Sequence, residues 1–365
     1  MGGSACRALE MIVEGAVVDA DGPRRAYVRF RKGRVVEVGV PGTDSRRGKE
    51  RRIHGIVAPR PVNSHTHLGD AAAAREPPRA GVSEIVGPGG LKFRLLASLT
   101  PTEKERAMRA ALKRMSREGV GAVVDFREEG VPGVEQLRRA SRGLPIEVRF
   151  LGRPTHRPVD LGEVTPLLRI ADGVGVSSAR EEDLRTRTLL ADRAHRAGKW
   201  FALHASEEVR EDPESYLRPR PDLLVHLTKA SPDDLAAVAK AQVPVAVCLR
   251  SNALFGRSPD LSAFAQAGVR LLIGSDNAML NAPSVFRETE FAYLSGRLLG
   301  HPVEAEYLAR AAYVEPWLWL DEPGRARIGP GMTGAPLVVR LPSEDPAYQL
   351  VTRATEQLIV GTETD

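Results

Sequence analysis

The sequence predicts an α/β protein built on a (β/α)8 TIM barrel, and three observations support this fold class. Apolar runs recur at nearly even intervals along the chain, and signals for helix starts and stops lie between them. A β-rich texture without helix signals is confined to the two chain ends. Regular alternation of strands and helices is typical of a parallel sheet covered by helices, and eight such units close into a barrel.

The apolar runs give the positions of eight predicted strands. The first run, residues 53–62, leads to a strand end at His65. The other predicted strand ends are Asp125, Leu151, Ser177, His204, His226, Cys248 and Ser275. From Asp125 onward these ends lie 22 to 27 residues apart, which fits one strand, one helix and two short connections. Sixty residues separate the first two ends, so residues 70–99 are predicted to be an insert that forms a lid or a substrate wall.

Helix signals fill the intervals between the strands. Residues 100–103 read TPTE, with a threonine N-cap, a proline at the first helical position and a glutamate three residues after the cap. Ser231 and Ser258 each begin a Ser-Pro-Asp sequence that predicts another helix start. Gly198 and Gly268 lie where the preceding helices should end.

The chain ends are predicted to form a separate β subdomain. Short β-rich runs bounded by turn residues occur at 11–18, 26–30, 34–40, 336–341 and 357–360. We therefore expect a β subdomain of residues 1–57 and 328–365 around a barrel domain of residues 58–327.

The net charge does not indicate a nucleic-acid partner. The 365 residues include 52 basic and 47 acidic ones, a net charge of +5, and only 8 of the basic residues are lysines. The arginines are spread among acidic residues, and aromatic residues make up 5% of the chain. Dispersed charge with few stacking side chains is not typical of nucleic-acid binding. We attribute the arginine excess to genome composition or to ion-pair networks.

The sequence also argues against a membrane protein. No apolar run approaches the roughly 20 residues that a membrane helix needs, and the beginning MGGSACRALE is not a signal peptide. Cys6 and Cys248 are too few for a disulfide framework. We therefore expect a cytoplasmic protein that acts on a small molecule, without a membrane partner and with homo-oligomerisation left open.

Five side chains at predicted strand ends indicate a metal site. His65 and His67 point to the same side of a strand, because side chains alternate along it. Two further strands end at His204 and His226, and Asp276 follows the eighth strand. The C-terminal ends of parallel barrel strands meet at one rim, so these side chains should converge. The donor set suits a divalent transition metal with an open position, which lowers the pKa of bound water to about 7.

Two candidates for proton transfer accompany the metal ligands. Glu207 follows His204 in HASE, where a carboxyl group can take a proton from bound water and deliver it to a substrate. His226 has two interpretations, as a metal ligand or as the group that holds the attacking water and stabilises developing negative charge. Asp276 taken alone also fits a helix N-cap. The coincidence of all these residues at strand ends favours the metal site.

These motifs resemble those of the amidohydrolase superfamily over nearly the whole chain. PVNSHTHL is similar to its strand-one motif, HASE to strand five, DLLVHLT to strand six, CLRSN to strand seven and GSDNAML to strand eight. The resemblance implies a distorted (β/α)8 barrel with a small β-sandwich subdomain made from both chain ends. It implies metal binding by His65, His67, His204 and Asp276. It further implies that His226 orients the hydrolytic water and that Glu207 moves protons to a ring nitrogen.

The resemblance also predicts how many metal ions the site binds. Binuclear members often use a carboxylated lysine on strand four or three, and the corresponding segments here, DGVGVSSAR and IEVRFLGRP, contain no lysine. The site is therefore similar to the mononuclear cytosine, adenosine and guanine deaminases, in which H-x-x-E is characteristic. One divalent transition metal is implied, with zinc as the family default and iron as the alternative.

The function that this resemblance implies is that of an aminohydrolase, or deaminase. Metal-activated hydroxide attacks an amidine-like carbon of a heterocyclic base or nucleoside-like substrate, ammonia leaves, and the catalytic residues are Glu207, His226 and Asp276. One alternative is hydrolysis of a cyclic or acyclic amide C–N bond, as in imidazolonepropionase-like relatives, and another is a chlorohydrolase-type displacement. The rival from a different class is a non-catalytic binding barrel, which is disfavoured because every expected ligand position is filled.

Substrate contacts are predicted near the same rim. Arg153 and His156 follow strand three in GRPTHRP, although His156 fits a solvated loop position equally well. Asn252 follows strand seven and also fits a brace for the loop backbone. Glu128 is expected in an ion-pair network at the rim. Lys92 in the insert is a candidate contact, with a solvated charge as the favoured interpretation.

Overall fold

The computed structural model describes residues 10–43, 50–74, 81–87, 89–156, 158–180 and 182–360. The strands, in chain order, are β1 (Glu10–Asp19), β2 (Gly22–Arg31), β3 (Arg34–Gly39), β4 (Arg51–Ala58), β5 (Val62–His67), β6 (Ala122–Arg127), β7 (Glu147–Gly152), β8 (Gly173–Val176), β9 (Trp200–Ala205), β10 (Leu223–His226), β11 (Val245–Val247), β12 (Leu271–Ile273), β13 (Asp276–Asn277) and β14 (Leu337–Val339).

The helices, in chain order, are α1 (Val82–Ile85), α2 (Leu91–Ala97), α3 (Pro101–Arg117), α4 (Gly130–Ser141), α5 (Leu161–Ile170), α6 (Leu184–Arg196), α7 (Pro213–Leu217), α8 (Pro232–Lys240), α9 (Leu249–Leu254), α10 (Leu261–Ala267), α11 (Val285–Leu298), α12 (Ala305–Tyr313), α13 (Glu315–Trp319), α14 (Pro323–Ala326) and α15 (Pro346–Arg353), with 3-10 turns at Leu68–Ala73 and Glu356–Leu358. No helix in the described ranges combines the length and hydropathy that crossing a membrane requires.

The chain divides into two compact units. One consists of Met1–Pro61 with Glu304–Asp365, and the other is Val62–Val303. The domain boundaries expected from the sequence, at 57/58 and 327/328, stay a prediction.

The first unit contains a five-stranded sheet in the order β14-β4-β1-β2-β3. β1 pairs antiparallel with β2 and parallel with β4, and β14 from the C-terminal part pairs antiparallel with β4. Apolar side chains of this sheet and its neighbours form the core of the unit: Met11, Val13, Val17, Ala26, Val28, Phe30, Val35, Val57, Ile328, Val338 and Val360. The additional sheet made from the chain ends is therefore present.

The last β-rich run, residues 357–360, forms no full strand. Within it, Ile359 makes one bridge to Val339 of β14. The amides of Leu358 and Ile359 donate to Thr355 O and Glu356 O in a 3-10 turn. These amides are consequently not available for a sheet ladder.

The second unit is a parallel barrel sheet in the order β12-β11-β10-β9-β8-β7-β6-β5-β13. β12 and β13 are two halves of the eighth strand. β12 pairs with β11, and β13 pairs with β5, so that the eighth strand connects the seventh to the first. At the junction the amide of Ser275 donates to His65 O at 3.0 Å. The predicted fold class, a distorted (β/α)8 barrel with an additional sheet, is confirmed.

The predicted strand ends agree with the observed ones within two residues. The first apolar run, residues 53–62, is the exception, because it does not form one strand. β4 ends at Ala58 in the first unit, and β5 begins at Val62 in the barrel. Pro59 and Pro61 separate them, and proline has no amide hydrogen to donate to a sheet ladder.

The helix starts follow the predicted caps with one exception. Thr100 forms a complete capping box with Glu103 at the start of α3, and Ser231 forms one with Asp234 at the start of α8. The predicted start at Ser258 is wrong. The N-cap of α10 is Asp260, whose carboxylate accepts from two amides of the first turn.

The insert after β5 contains short helical elements. The 3-10 turn Leu68–Ala73, α1 and α2 occupy its described part, while residues 75–80 and 88 lie outside the described residues. A small apolar cluster joins these elements to the segments after β11 and β13: Ala73, Ile85, Val86, Leu95, Leu96, Phe255, Met279 and Leu280. The insert is thus packed against the C-terminal side of the barrel, and its role as a lid or wall stays a prediction.

Candidate metal centre

The C-terminal ends of four barrel strands bring the predicted site residues together. His65 and His67 lie on β5, His204 on β9 and His226 at the end of β10, while Asp276 begins β13. All five are buried, with between 0% and 8% of each residue exposed. The backbones of His226, at the end of β10, and of Asp276, after the break between β12 and β13, have φ of 74° and 59°, in the left-handed region.

Ring nitrogens and one carboxylate oxygen meet within a small space. His65 Nε2 lies 3.1 Å from His204 Nε2 and 3.3 Å from Asp276 Oδ1. His67 Nε2 lies 3.5 Å from the same Asp276 oxygen. One ligand atom from each of four residues lies within 4.8 Å of the other three: His65, His204, His226 and Asp276.

This spacing fits a single metal ion. Donor atoms bound at about 2.0 to 2.1 Å to a tetrahedral metal lie roughly 3.3 Å from one another. Two separations within this group of four are 3.1 and 3.3 Å, and His67 Nε2, outside the group, lies 3.5 Å from Asp276 Oδ1. Three imidazoles and a carboxylate are donors that zinc and similar metals accept. The residues present are therefore suited to a divalent transition metal.

The protonation of two histidines is also suited to metal binding. Burial lowers the pKa of His65 from the ordinary 6.5 to about 4, and burial with the nearby His65 ring holds the pKa of His204 well below that value. Both rings are thus neutral near pH 7. His204 Nδ1 lies 2.9 Å from Val176 O, and since a carbonyl oxygen only accepts, Nδ1 carries the hydrogen. Nε2 of His204 is then left with a lone pair that faces the cluster.

Asp276 is held in one orientation by the segment after β11. Ser251 Oγ donates a hydrogen bond to Asp276 Oδ2 at 2.5 Å, which leaves Oδ1 toward the histidines. Burial opposes ionisation of Asp276, but the hydrogen bond with His65 keeps the pKa of this carboxyl well below its usual range. The carboxylate is therefore charged and able to act as a ligand. Its role as a helix N-cap, the alternative raised by the sequence, is not observed, because Asp276 begins a strand.

His67 has a second partner that the sequence did not predict for it. Its Nδ1 lies 3.2 Å from Glu128 Oε1, just beyond the end of β6. Burial opposes protonation, but the charge of Glu128 raises the pKa of His67 to about 9. The sequence predicts that Glu128 belongs to an ion-pair network at the rim. Its contact with the candidate ligand His67 depends on the fold and is not predicted.

The interpretation of Lys92 as a solvated charge is wrong. Lys92 lies on α2, and only 5% of the residue is exposed. Its Nζ lies 2.8 Å from Asp70 Oδ2 and 2.9 Å from Glu128 Oε1. The segment after β5 is apolar enough to bury a lysine stem, and these two carboxylates compensate its charge.

A cavity of about 270 Å³ opens beside the cluster. Its lining includes His67, Glu207 and His226 together with the apolar Phe93 and Leu280. The two predicted proton-transfer residues are close to each other, with His226 Nε2 3.5 Å from Glu207 Oε2. A small organic molecule in this cavity would therefore contact both of them and the candidate ligands.

The predicted substrate contacts are distributed differently. Arg153 lines the cavity. Among the described lining residues, neither Asn252 nor His156 is present. Asn252 is buried beneath His226, with its Nδ2 3.4 Å from His226 Nδ1. The side chain of His156 is 68% exposed and pairs with Glu163.

Comparisons with known proteins place this geometry in a family. The model of the amidohydrolase family matches residues 56–315. A putative aminohydrolase of Methanothermobacter thermautotrophicus is 34% identical over 286 residues, covering 72% of this chain and 74% of that protein. The aminodeoxyfutalosine deaminase of Deinococcus radiodurans is 27% identical over 318 residues, covering 72% of this chain and 73% of that protein.

A solved structure is similar in fold. The zinc-bound adenosine deaminase of Xanthomonas campestris has a TM-score of 0.75 and 18% sequence identity, covering 98% of this chain and 94% of that one. The superfamily resemblance inferred from the motifs is thus confirmed. The chain belongs to the amidohydrolase family, and this membership supports a metal-dependent hydrolase that acts on carbon–nitrogen bonds.

Proposed function

We propose that this protein is an aminohydrolase that uses one divalent transition metal to release ammonia from an amidine-like carbon of a heterocyclic base or nucleoside-like substrate. The observation that carries the proposal is the convergence of histidine nitrogens and Asp276 Oδ1 at the spacing of a tetrahedral metal, beside a cavity lined by Glu207. The proposed ligands are His65, His67, His204 and Asp276.

The metal supplies one part of the chemistry. A divalent transition metal lowers the pKa of a coordinated water and so makes hydroxide available near neutral pH. We propose zinc, with iron as the alternative, because both accept imidazole and carboxylate donors. A single ion is proposed because β7 and β8 contain no lysine that could be carboxylated to bridge two metals.

Glu207 is proposed as the group that moves protons. Its side chain lies on the loop after β9, lines the cavity and is 28% exposed. From this position the carboxylate takes a proton from the attacking water and delivers it to a ring nitrogen of the substrate. The remaining proton of the added hydroxyl then passes through the same carboxyl group to the amino group, which leaves as ammonia while the carbonyl forms, so Glu207 acts alternately as base and as acid.

His226 is proposed to donate a hydrogen bond rather than to bind the metal. Thr228 Oγ1 donates to Asn252 Oδ1 at 3.4 Å, and this bond leaves Asn252 Nδ2 facing His226 Nδ1. Since an amide nitrogen only donates, Nδ1 of His226 accepts and Nε2 carries the hydrogen. That N–H points toward the cavity side of the cluster, where it orients the attacking oxygen and stabilises its developing charge. Asn252 thereby positions a catalytic residue.

The relatives support deamination over amide hydrolysis. The Methanothermobacter relative bears the name putative aminohydrolase, and the Deinococcus relative is named as a deaminase. We propose the same chemistry for the present chain. We also propose Arg153 as a substrate contact, because Arg153 lines the same cavity. His156 is retained as a contact only for substrates that extend out of the cavity.

An ammonia-release screen tests the proposal. Metal-loaded protein is incubated with purines, pyrimidines, pterins and guanidino compounds, and ammonia is measured by a coupled glutamate dehydrogenase assay. The expected result is release from one class of heterocycle by the wild-type protein and none by Asp276→Ala. Parallel incubation with cyclic and acyclic amides, analysed by mass spectrometry, identifies the rival reaction. Amide cleavage without ammonia release from any heterocycle would overturn the deaminase assignment.

A further inference from the structure

We propose that Lys92, in the insert after β5, is a positioning residue for the metal ligand His67 and acts on it through Glu128. The insert then contributes to metal binding although it supplies no ligand. This inference rests on the metal centre proposed above.

Lys92 is held rigidly at the junction of three segments. Its Nζ lies 2.8 Å from Asp70 Oδ2, in the 3-10 turn after β5, and 2.9 Å from Glu128 Oε1, just after β6. Asn277 of β13 donates to the same Asp70 oxygen at 2.8 Å. The ammonium group is thus fixed on one side by a carboxylate that the eighth strand also holds.

One atom of Glu128, Oε1, contacts both Lys92 and His67. This oxygen is bound by Lys92 Nζ and also lies 3.2 Å from His67 Nδ1. The two atoms face each other at ion-pair distance, and the negative carboxylate favours a hydrogen on Nδ1 of His67. The ring is then oriented with Nε2 toward Asp276 Oδ1, 3.5 Å away, where the metal would bind. Carboxylate partners of ligating histidines fix ring orientation in this way.

Glu128 has a cation at each carboxylate oxygen, Lys92 at Oε1 and Arg127 at Oε2, where Arg127 Nη1 lies 3.5 Å away. Glu128 follows the end of β6, and 15% of its side chain is exposed toward the cavity, so another rotamer is open to it. The buried Lys92 gives Oε1, the oxygen that faces His67 Nδ1, its cationic partner. Without the ammonium group, the cation that remains is Arg127 at Oε2, so Glu128 is expected to shift toward Arg127 and away from His67.

A double-mutant cycle on zinc affinity tests this chain of contacts. The variants are Lys92→Met, Glu128→Ala and both together, and zinc dissociation constants are measured by competition with a chromophoric chelator. At about pH 9, where proton release from His67 no longer affects the comparison, each single variant is expected to bind zinc about 10- to 100-fold more weakly. Because Lys92 acts through Glu128, the double variant should bind like Glu128→Ala alone.

A matched control separates this effect from the loss of any ion pair near β6. Lys104 Nζ pairs with Glu129 Oε1 at 2.8 Å, one residue beyond Glu128 and without a contact to His67 among the described residues. Lys104→Met should therefore keep the wild-type zinc affinity. The visible absorption of the cobalt-substituted protein gives a second measurement, since it responds to ligand geometry. The cobalt spectrum should change in Lys92→Met and not in Lys104→Met.

A charge-balanced variant serves as the control for misfolding of Lys92→Met. Lys92→Met removes the cation that two buried carboxylates share, so Lys92→Met combined with Asp70→Asn restores the charge balance while Oε1 of Glu128 still lacks the ammonium group. This variant should fold and show the weakened zinc binding. Wild-type affinity in Lys92→Met or in the balanced variant, or additive losses in the cycle, would overturn the positioning role. Failure of the wild-type protein to bind zinc or iron would instead overturn the proposed metal centre.

Discussion

Ser251 Oγ and Asp276 Oδ2 form a 2.5 Å hydrogen bond that leaves Asp276 Oδ1 as the oxygen facing the histidine cluster. The serine lies on α9, directly after β11, and both partners are buried. The seventh strand therefore determines which oxygen of the eighth strand's carboxylate is presented to the metal.

Ser251→Ala is expected to weaken metal binding because Asp276 can then rotate about its side chain. Loss of a hydrogen-bonded partner of a ligand typically costs about 10- to 100-fold in metal affinity or activity. Zinc affinity by chelator competition measures this effect. The control is Ser295→Ala, since Ser295 is also buried but, among the described residues, its hydroxyl bonds only within its own helix, to Ala292 O. Equal zinc affinity in the two variants would contradict a role for Ser251 in orienting Asp276.

Glu207→Gln is expected to retain the metal and lose most of its turnover. The amide keeps the size of the side chain but cannot accept and return a proton, and proton transfer by a positioned group contributes about 10²- to 10⁴-fold. The measurement is kcat for the substrate found by ammonia release, with metal content determined on the same sample.

The neighbouring glutamate provides the comparison for Glu207. The side chain of Glu208 is 39% exposed and pairs with Arg257 at 2.9 Å. Glu208→Gln should cause a much smaller loss of kcat than Glu207→Gln. Near wild-type turnover in Glu207→Gln would show that Glu207 is not the group that transfers protons.

The sequence predicts the barrel well because its signals are local. The apolar runs before Asp125, His204 and His226 mark strands by their hydrophobicity, and the cap at Thr100 marks a helix start by its side-chain hydrogen bonds. Since parallel strands share one orientation, residues at their C-terminal ends lie at the same rim of the barrel. Their proximity can therefore be predicted from the strand positions alone. The split between β4 and β5 is not predicted, although Pro59 and Pro61 interrupt the run that the apolar pattern predicts as one strand.

The side chains that contact the candidate metal ligands could not be predicted from local sequence signals. Lys92 and Glu128 are 36 residues apart, and neither belongs to a motif or a periodic pattern. Their contact depends on how α2 packs over the barrel. Asn252 was predicted at the rim but lies beneath His226, because α9 begins at Leu249 and turns the side chain inward.

Metal binding is expected to release a proton from His67. Glu128 raises the pKa of this ring to about 9, against burial, so the metal-free ring is protonated at pH 7 to 8. Coordination through Nε2 must displace that proton. Apparent metal affinity should therefore rise about tenfold per pH unit up to about pH 9 and flatten above it. Calorimetry in buffers of different ionisation enthalpy counts the protons released.

Glu128→Gln tests the origin of this proton. The amide removes the negative charge that raises the pKa of His67, so the rise in affinity should level off at a lower pH than in the wild-type protein. Proton release at pH 8 should fall accordingly. An unchanged proton count in Glu128→Gln would assign the released proton to another group.

Gly274→Ala is expected to damage both the barrel closure and the metal site. A Cβ at this position would lie 2.6 Å from His65 Cβ and 3.0 Å from the backbone N and O of His65. Backbone atoms at the junction of β5 and the eighth strand can yield only by separating the strands, and overpacking typically costs about 1 to 3 kcal/mol. Thermal unfolding and metal content should both decrease. Gly329→Ala, where no atom lies within 4 Å of the added Cβ, should leave both measurements unchanged. A Gly274→Ala protein with the wild-type melting temperature and full metal content would show that the strand junction tolerates expansion next to His65.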